Sequence, residues 1–354
     1  MKVFKYFVII VILLAIFLSV YIATEKSEYE IQVTHQTELS KQRLFRYVDD
    51  LDNFKDWNPW PTTSNNYKLD TLSKGENAKV FWAENLVHIT NSKPNDSVGI
   101  LLKVDGNTYN TRMYFDNENG TTKIVWKING NLSFAEKTQL FFQGTPETFI
   151  APNFDKGLRA IVHHINESIE NYSIKSENLT LFPETIYIKQ MVESNIENLG
   201  DKIFQSMEHL NTFAENFELE PYGAPLTMFE NIDLQSGNVK YAVCMPIKNF
   251  FSTAAGSDVV CEQIEAFHGF KVVLNGDYVH SDKAWKEAKN QVEQLRLTQR
   301  TDIKPIAIYK KSILNIQKPN KWVTEFIIPV NETFIPIVEN ETNTETKQLN
   351  KPNE

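Results

Sequence analysis

Val243-Cys244-Met245-Pro246 and Phe326-Ile327-Ile328-Pro329 end two stretches of the chain in the same way, and the elements ahead of them recur in the same order. Before the first ending, Thr185–Val192 alternates as a strand. Leu199–Phe217 then sets Ile203, Met207, Leu210, Ala214 and Phe217 on one helical face, and Ala224–Glu230 and Val239–Pro246 read as strands. Before the second, Glu262–Leu274 reads as a strand and Ser281–Thr298 as a helix with Ala284, Trp285, Ala288, Val292 and Leu295 inward. Pro305–Lys310 and Trp322–Pro329 complete it as strands. One β-α-β-β unit of this size cannot cover its own sheet, so the two are expected to pair, with a groove between them open to a ligand.

Upstream, the pattern changes. Ile31, Val33 and Thr37 alternate, and Lys41–Leu51 places Leu44, Phe45 and Val48 at helical spacing. Strand-like runs follow at Ala78–Thr90, Val98–Val104, Tyr109–Phe115, Thr122–Ile128 and Gln139–Phe142, with turn chemistry at Asp105-Gly106-Asn107 and Asn117–Gly120. A long helix is predicted from Asn153 to Tyr172, its stripe marked by Phe154, Leu158, Ile161, Ile165 and Ile169. These elements predict an antiparallel sheet curved around a final helix and enclosing a cavity. The chain is therefore α+β. The polar stretch Ser173–Asn178 reads as a connector, which gives modules at residues 28–174 and 179–335 and a tail at 336–354. From Glu339 to Glu354 that tail is Asn, Thr, Glu and Lys with almost nothing apolar, a composition expected to be disordered.

The first 24 residues read as an anchor. From Tyr6 to Ala23 the chain is nearly unbroken Val, Ile, Leu and Phe, and these 18 positions span about 27 Å as a helix, close to the hydrocarbon thickness of a bilayer. A signal peptide cleaved after Ala23 would place bulky Tyr21 at the −3 position, which favours an uncleaved single-pass helix. Lys2 and Lys5 precede the run and Glu25, Lys26, Glu28 and Glu30 follow it. The N-terminus is thus expected in the cytoplasm and the folded modules outside it, periplasmic or at the cell surface.

Composition narrows the function. The 354 residues suggest about two domains. A net charge of −9 argues against binding the phosphate backbone of nucleic acid. Two cysteines, Cys244 and Cys261, are too few for a disulfide scaffold or a cysteine zinc site and read as buried free thiols. His163 and His164 diverge by about 100° on a helix, no metal motif or phosphate loop occurs, and neither metal nor cofactor is expected.

Residues 30–172 resemble the SRPBCC (START-like, polyketide-cyclase-like) helix-grip superfamily. The likeness rests on Phe45, Asp49-Asp50-Leu51, Phe54-Lys55-Asp56-Trp57-Asn58-Pro59-Trp60 and Phe154-Asp155-Lys156-Gly157-Leu158. It implies that Trp57 and Trp60 pack the first helix onto the sheet. Residues 181–331 resemble the GyrI-like effector-binding domain of some AraC-type and MerR-type regulators. Here the residues are Pro221-Tyr222-Gly223, Tyr241–Pro246, Gly276-Asp277-Tyr278, Pro305–Tyr309 and Thr324–Pro329. That resemblance implies a pocket with a glutamate at its floor, which by position is Glu325; Ala307 departs from the acidic residue many relatives carry there.

Glu325 also stands out from the residues alone, as a carboxylate inside an apolar strand, costly to bury unless paired or offered to a ligand. Tyr222, Tyr278 and Tyr309 are the candidate aromatic wall for a hydrophobic or cationic small molecule, and Trp285 reads as core. The leading expectation is a non-catalytic, bacterial-type, membrane-anchored small-molecule binder used for sensing, sequestration or tolerance. The alternative is a hydrolase of electrophilic compounds, implied by the resemblance, with Glu325 as base and Tyr309 as its partner. Transcription regulation fares poorly, because an apolar helix precedes the modules where a DNA-binding domain would stand.

Overall fold

Two antiparallel sheets and one N-terminal apolar helix make up the α+β architecture. They are seen in a computed structural model that describes residues 2–331 apart from 61–65, 119, 196–198, 234–237, 255, 313, 315 and 317. The tail expected at 336–354 lies outside the described residues. Helix α1 (Lys2–Thr24) contains, in Phe4–Thr24, a span long and apolar enough to cross a membrane by length and composition. Its large side chains from Phe4 to Tyr21 are exposed except half-buried Leu18, and Ile22 is buried.

The first sheet takes seven strands: β1 (Glu28–Thr37), β2 (Tyr67–Leu69), β3 (Lys79–Trp82), β4 (Asn85–Lys93), β5 (Ser97–Val104), β6 (Asn107–Glu118) and β7 (Thr121–Asn131). Their order is β1-β7-β6-β5-β4-β3-β2, a meander whose first strand closes beside its last. The expected turn at Asp105-Gly106 joins β5 to β6, with φ of 51° and 81°, the left-handed pair a tight two-residue hairpin requires. Helix α2 (Lys41–Asp49) starts at Ser40, whose hydroxyl accepts from the Arg43 amide. A short helix α3 (Phe54–Trp57) follows it, and α4 (Phe134–Gln143) and α5 (Pro146–Glu170) close the module.

Two readings of this half change. Gln139–Phe142 is helical, because Ser133 and Glu136 form a reciprocal capping box that starts α4. Helix α5 begins at Pro146 and not at Asn153. Pro146 sits at the first helical position, where its missing N–H costs nothing, and Pro152 falls in the second turn.

The expected cavity is occupied by rings. Buried Phe54, Trp57, Trp82, Trp126 and Phe154 form a chain between sheet and α5, with centroids 5.0 Å apart for Phe54 and Trp82, 5.9 Å for Trp57 and Trp126 and 4.6 Å for Trp126 and Phe154. Gly157 permits this approach, since a Cβ there would lie 3.1 Å from the Trp126 ring. Trp57 and Trp60 are both buried, and Trp60 meets Phe154 edge-on at 5.5 Å.

The second sheet has eight strands: β8 (Ser173–Phe182), β9 (Thr185–Asn195), β10 (Leu226–Asp233), β11 (Asn238–Pro246), β12 (Val259–Ile264), β13 (Phe267–Asn275), β14 (Ile306–Lys311) and β15 (Val323–Pro329). The order β12-β9-β11-β10-β14-β15-β13-β8 reads alike from both ends, with β9, β10 and β11 matching β13, β14 and β15. Helices α6 (Leu199–Asn216) and α7 (Ser281–Gln294) follow β9 and β13. Glu262–Leu274 is therefore not one strand: Glu265-Ala266 divides it into β12 and β13. Nor is Ser173–Asn178 a connector, since it forms the first part of β8 on the edge of β13. The strand ahead of each unit crosses to pair with the other unit, β8 with β13 and β12 with β9.

Alternation gives this sheet two distinct faces. One carries Tyr241, Val243, Val272, Leu274, Tyr309, Phe326 and Ile328 under α6 and α7. The other carries a smaller cluster of Phe182, Tyr187, Leu226, Met228, Phe267, Ile306, Ile308 and Ile327.

Candidate functional site

Tyr309 lies on the helix-covered face in β14, buried, and its hydroxyl pairs with that of Thr227 at 3.1 Å. Burial pushes its phenol well above the usual range. Tyr278 stands edge-on to it at 5.3 Å, in a 3-10 turn that Asp277 caps through the Val279 amide. Trp322 then stacks on Tyr278 at 4.5 Å, with 23° between planes. The three rings form a row that runs from the sheet interior to the junction of the two modules. Beside it, Thr324 pairs with Tyr309 in register; its hydroxyl is buried and has no hydrogen-bond partner among the described residues.

At the junction the row opens on a cleft of about 230 Å³, lined by Arg43, Arg46, Tyr47 and Asp56, by α5 from His164 to Asn171, and by Lys318–Asn320 and Trp322. Its charges are paired across the modules. Arg43 forks onto both Asp277 oxygens. Arg46 reaches Asp201 at 3.3 Å and lies over the Phe204 ring; burial lowers its pKa, and Asp201 opposes that shift. Lys318 Nζ lies 2.7 Å from Asp56, to which the Tyr47 hydroxyl donates at 3.4 Å. Burial first, and Asp56 second, raise the Tyr47 phenol. His164 faces Glu167 at 3.2 Å. Arg43, Arg46 and Lys318 thus meet Asp277, Asp201 and Asp56 in turn. Among the described lining residues no arginine or lysine is left over to hold an anionic ligand.

Of the residues singled out in the sequence, Tyr278 and Tyr309 meet. Glu325 does not join them. It pairs in register with Ile308, on the face opposite Tyr309, 3.7 Å from Lys271, which also binds Glu177 at 2.8 Å. The geometry does not bring Glu325 and Tyr309 together as a floor carboxylate or a hydrolytic pair: Phe326 and Ile328 take the helix-covered side with Tyr309, so alternation sends Glu325 to the other face. Tyr222 is 68% exposed at the chain's turn into β10, its amide donating to the Pro246 carbonyl. Trp285 packs on Phe326 and Phe229 as core.

The residues missed from sequence are Arg43, Asp56, Asp277, Lys318 and Trp322. Asp277 and Asp56 belonged to motifs already quoted, but their partners are far away in the chain. Cys244 and Cys261 are buried and free. Among the described residues no group of three or more His, Cys, Asp or Glu could hold a metal ion.

No family model matches the chain, and no curated protein matches it. Solved structures similar to it include the EcmrR C-terminal domain, at 19% identity over 46% of this chain and 99% of that one, with a TM-score of 0.37. SAV2435 bound to tetraphenylphosphonium is similar at 11% identity over 44% and 94%, TM-score 0.33. An uncharacterized conserved protein from Listeria innocua is similar at 15% over 44% and 92%, TM-score 0.34.

Proposed function

We propose that this chain is a membrane-anchored protein that binds a small amphipathic or cationic molecule in the cleft between its two modules. In this reading the first module is a helix-grip domain, the second is a GyrI-like domain beginning at Ser173, and α1 crosses the membrane with its N-terminus in the cytoplasm. The observation that carries the ligand site is the Tyr278–Trp322 stack opening on the junction cleft. Trp322 stands on the cleft wall, 2% exposed and with one face covered by Tyr278, and an aromatic or quaternary-ammonium group entering the cleft meets it there at about 0.5–2 kcal/mol per contact. The cleft is smaller than the roughly 300–1,000 Å³ of drug-sized pockets, so the ligand is a compact one.

The test uses the full chain in lipid nanodiscs, titrated with benzyltrimethylammonium and with its neutral carbon isostere. Saturable binding of the cation is expected. Trp322→Leu, which keeps apolar bulk and removes the ring, should weaken the cation about tenfold and the isostere less. Absence of saturable binding of either probe, or binding indifferent to Trp322→Leu, would overturn the site. Sidedness is checked separately: a reporter active only outside the cytoplasm, fused after Glu354, should be active.

A further inference from the structure

Helix α4 stands out among the described elements because its aromatic side chains are largely exposed. Phe134, Phe141 and Phe142 are 53%, 48% and 70% exposed, although the first core lies close by. Their spacing of i, i+7 and i+8 gathers them on one side of the helix, with Glu136, Gln139 and Gln143 on the other. Three exposed phenylalanines on a ten-residue helix are costly in water, and the capping box that starts α4 holds them in that arrangement.

The position of α4 says what covers them. Lys137 donates to the Glu25 and Ala23 carbonyls, which places an ammonium at the negative end of α1, and its side chain is buried in doing so. Phe141 meets the Tyr21 ring of α1 at 6.0 Å. All these contacts fall within one turn of Thr24, where the apolar span ends. The 21 residues of that span reach about 31 Å, which fills the roughly 30 Å hydrocarbon layer and leaves Thr24 at its boundary. Helix α4 is thereby held at the depth where amphipathic helices bury their apolar face among headgroups and upper acyl chains.

We propose that α4 lies in the membrane interface with Phe134, Phe141 and Phe142 inserted, so that the first module is seated on the bilayer at a second point and does not swing freely on α1. This rests on the reading that α1 crosses the membrane. The occupant is lipid, because the aromatic face continues the exposed apolar surface of α1 through Tyr21 and Phe141, and Lys137, the charged group beside it, is buried against the α1 carbonyls.

Nitroxide spin labels test it on the full chain in phosphatidylcholine vesicles, with the two buried native cysteines left in place. Labels go at Leu13→Cys, Phe142→Cys and Gln139→Cys, and collision rates with oxygen and with a water-soluble nickel chelate are compared. The label at 13 should be deepest. The label at 142 should favour oxygen over nickel by several-fold relative to the label at 139. If 13 is deep but 142 and 139 are equally open to nickel, the inference fails while the spanning helix stands. If 13 is itself open to nickel, the membrane reading fails and takes this inference with it. A label at 142 that is immobile and shielded from both reagents would place a second protein surface there and overturn lipid as the occupant. Phe134→Cys repeats the comparison should labelling at 142 disturb the helix.

Discussion

Phe54, Trp57, Trp82, Trp126 and Phe154 in the first module, and Tyr309, Tyr278 and Trp322 in the second, are both chains of ring contacts, yet they end in different places. The first chain is closed: its members are all essentially buried, and sheet and α5 meet through them. The indole N–H groups of Trp57, Trp82 and Trp126 find no hydrogen-bond partner among the described residues. Each orphan costs about 1–3 kcal/mol, whereas burying an aromatic side chain of roughly 200 Å² returns about 5 kcal/mol, so burial wins. The second chain is buried as well, with Tyr309 at 5% and Trp322 at 2% exposure, but it reaches a cleft. It starts at a phenol with a partner, Thr227, and ends at a ring on the wall of a cleft. A ring that finishes inside a core serves stability; one that finishes at a concave surface is also available to a ligand.

The sharpest way to break this contrast is to truncate each chain. Phe154→Ala removes a ring that touches Trp60, Tyr109 and Trp126, and should cost about 3–5 kcal/mol of unfolding free energy, read by urea denaturation. A loss as small as that of Trp322→Leu would show that the first chain is not the tighter core. Next in size is the joint between the modules. The Asp277 side chain is 1% exposed, so Arg43→Met strands a buried carboxylate and should cost roughly 3 kcal/mol, part of it recovered by adding Asp277→Asn. A loss below about 0.5 kcal/mol would mean that the modules do not depend on this pair.

A smaller effect comes from Asp49 at the end of α2. Burial raises its pKa, and the hydrogen bond that Ser92 donates at 2.6 Å only partly opposes this. A carboxyl whose folded pKa is raised favours folding at pH below its unfolded value, near 3.9, and that contribution is lost as pH rises through the folded pKa. Asp49→Asn should therefore raise the urea midpoint at pH 7.5 relative to the parent, with the advantage shrinking toward pH 4. An advantage equal at both values would rule out the charge as its cause.

The smallest effect is expected at Glu325. Its contact with Lys271 is a long one at 3.7 Å on the face away from the cleft, and Lys271 keeps its closer partner Glu177, so Glu325→Gln should change stability by less than about 0.5 kcal/mol and leave probe binding alone. Selective loss of cation binding in this variant would return the glutamate to the ligand site and undo the assignment of the cleft.

Much of this architecture was legible from local chemistry. The apolar α1, the Asp105-Gly106 hairpin, the stripes of α6 and α7 and the repeated strand–helix–strand–strand order each depend on residues a few positions apart, and short-range spacing reports them directly. Errors fell where two local signals competed. Phe141-Phe142 suits a strand by propensity, but the Ser133–Glu136 box starts a helix. Likewise Ser173–Asn178 is polar because β8 is an edge strand, and not because it is a loop.

The sequence by itself determined that a carboxylate stands in β15 and that tyrosines stand near it. Only the tertiary structure decided that Glu325 and Tyr309 leave opposite faces, because a period of two specifies alternation and not which face the helices cover. It alone brought Arg43 to Asp277 and Lys318 to Asp56, partners more than two hundred positions apart in the chain. No spacing rule reaches that far, since such pairs are set by how two separately patterned surfaces dock.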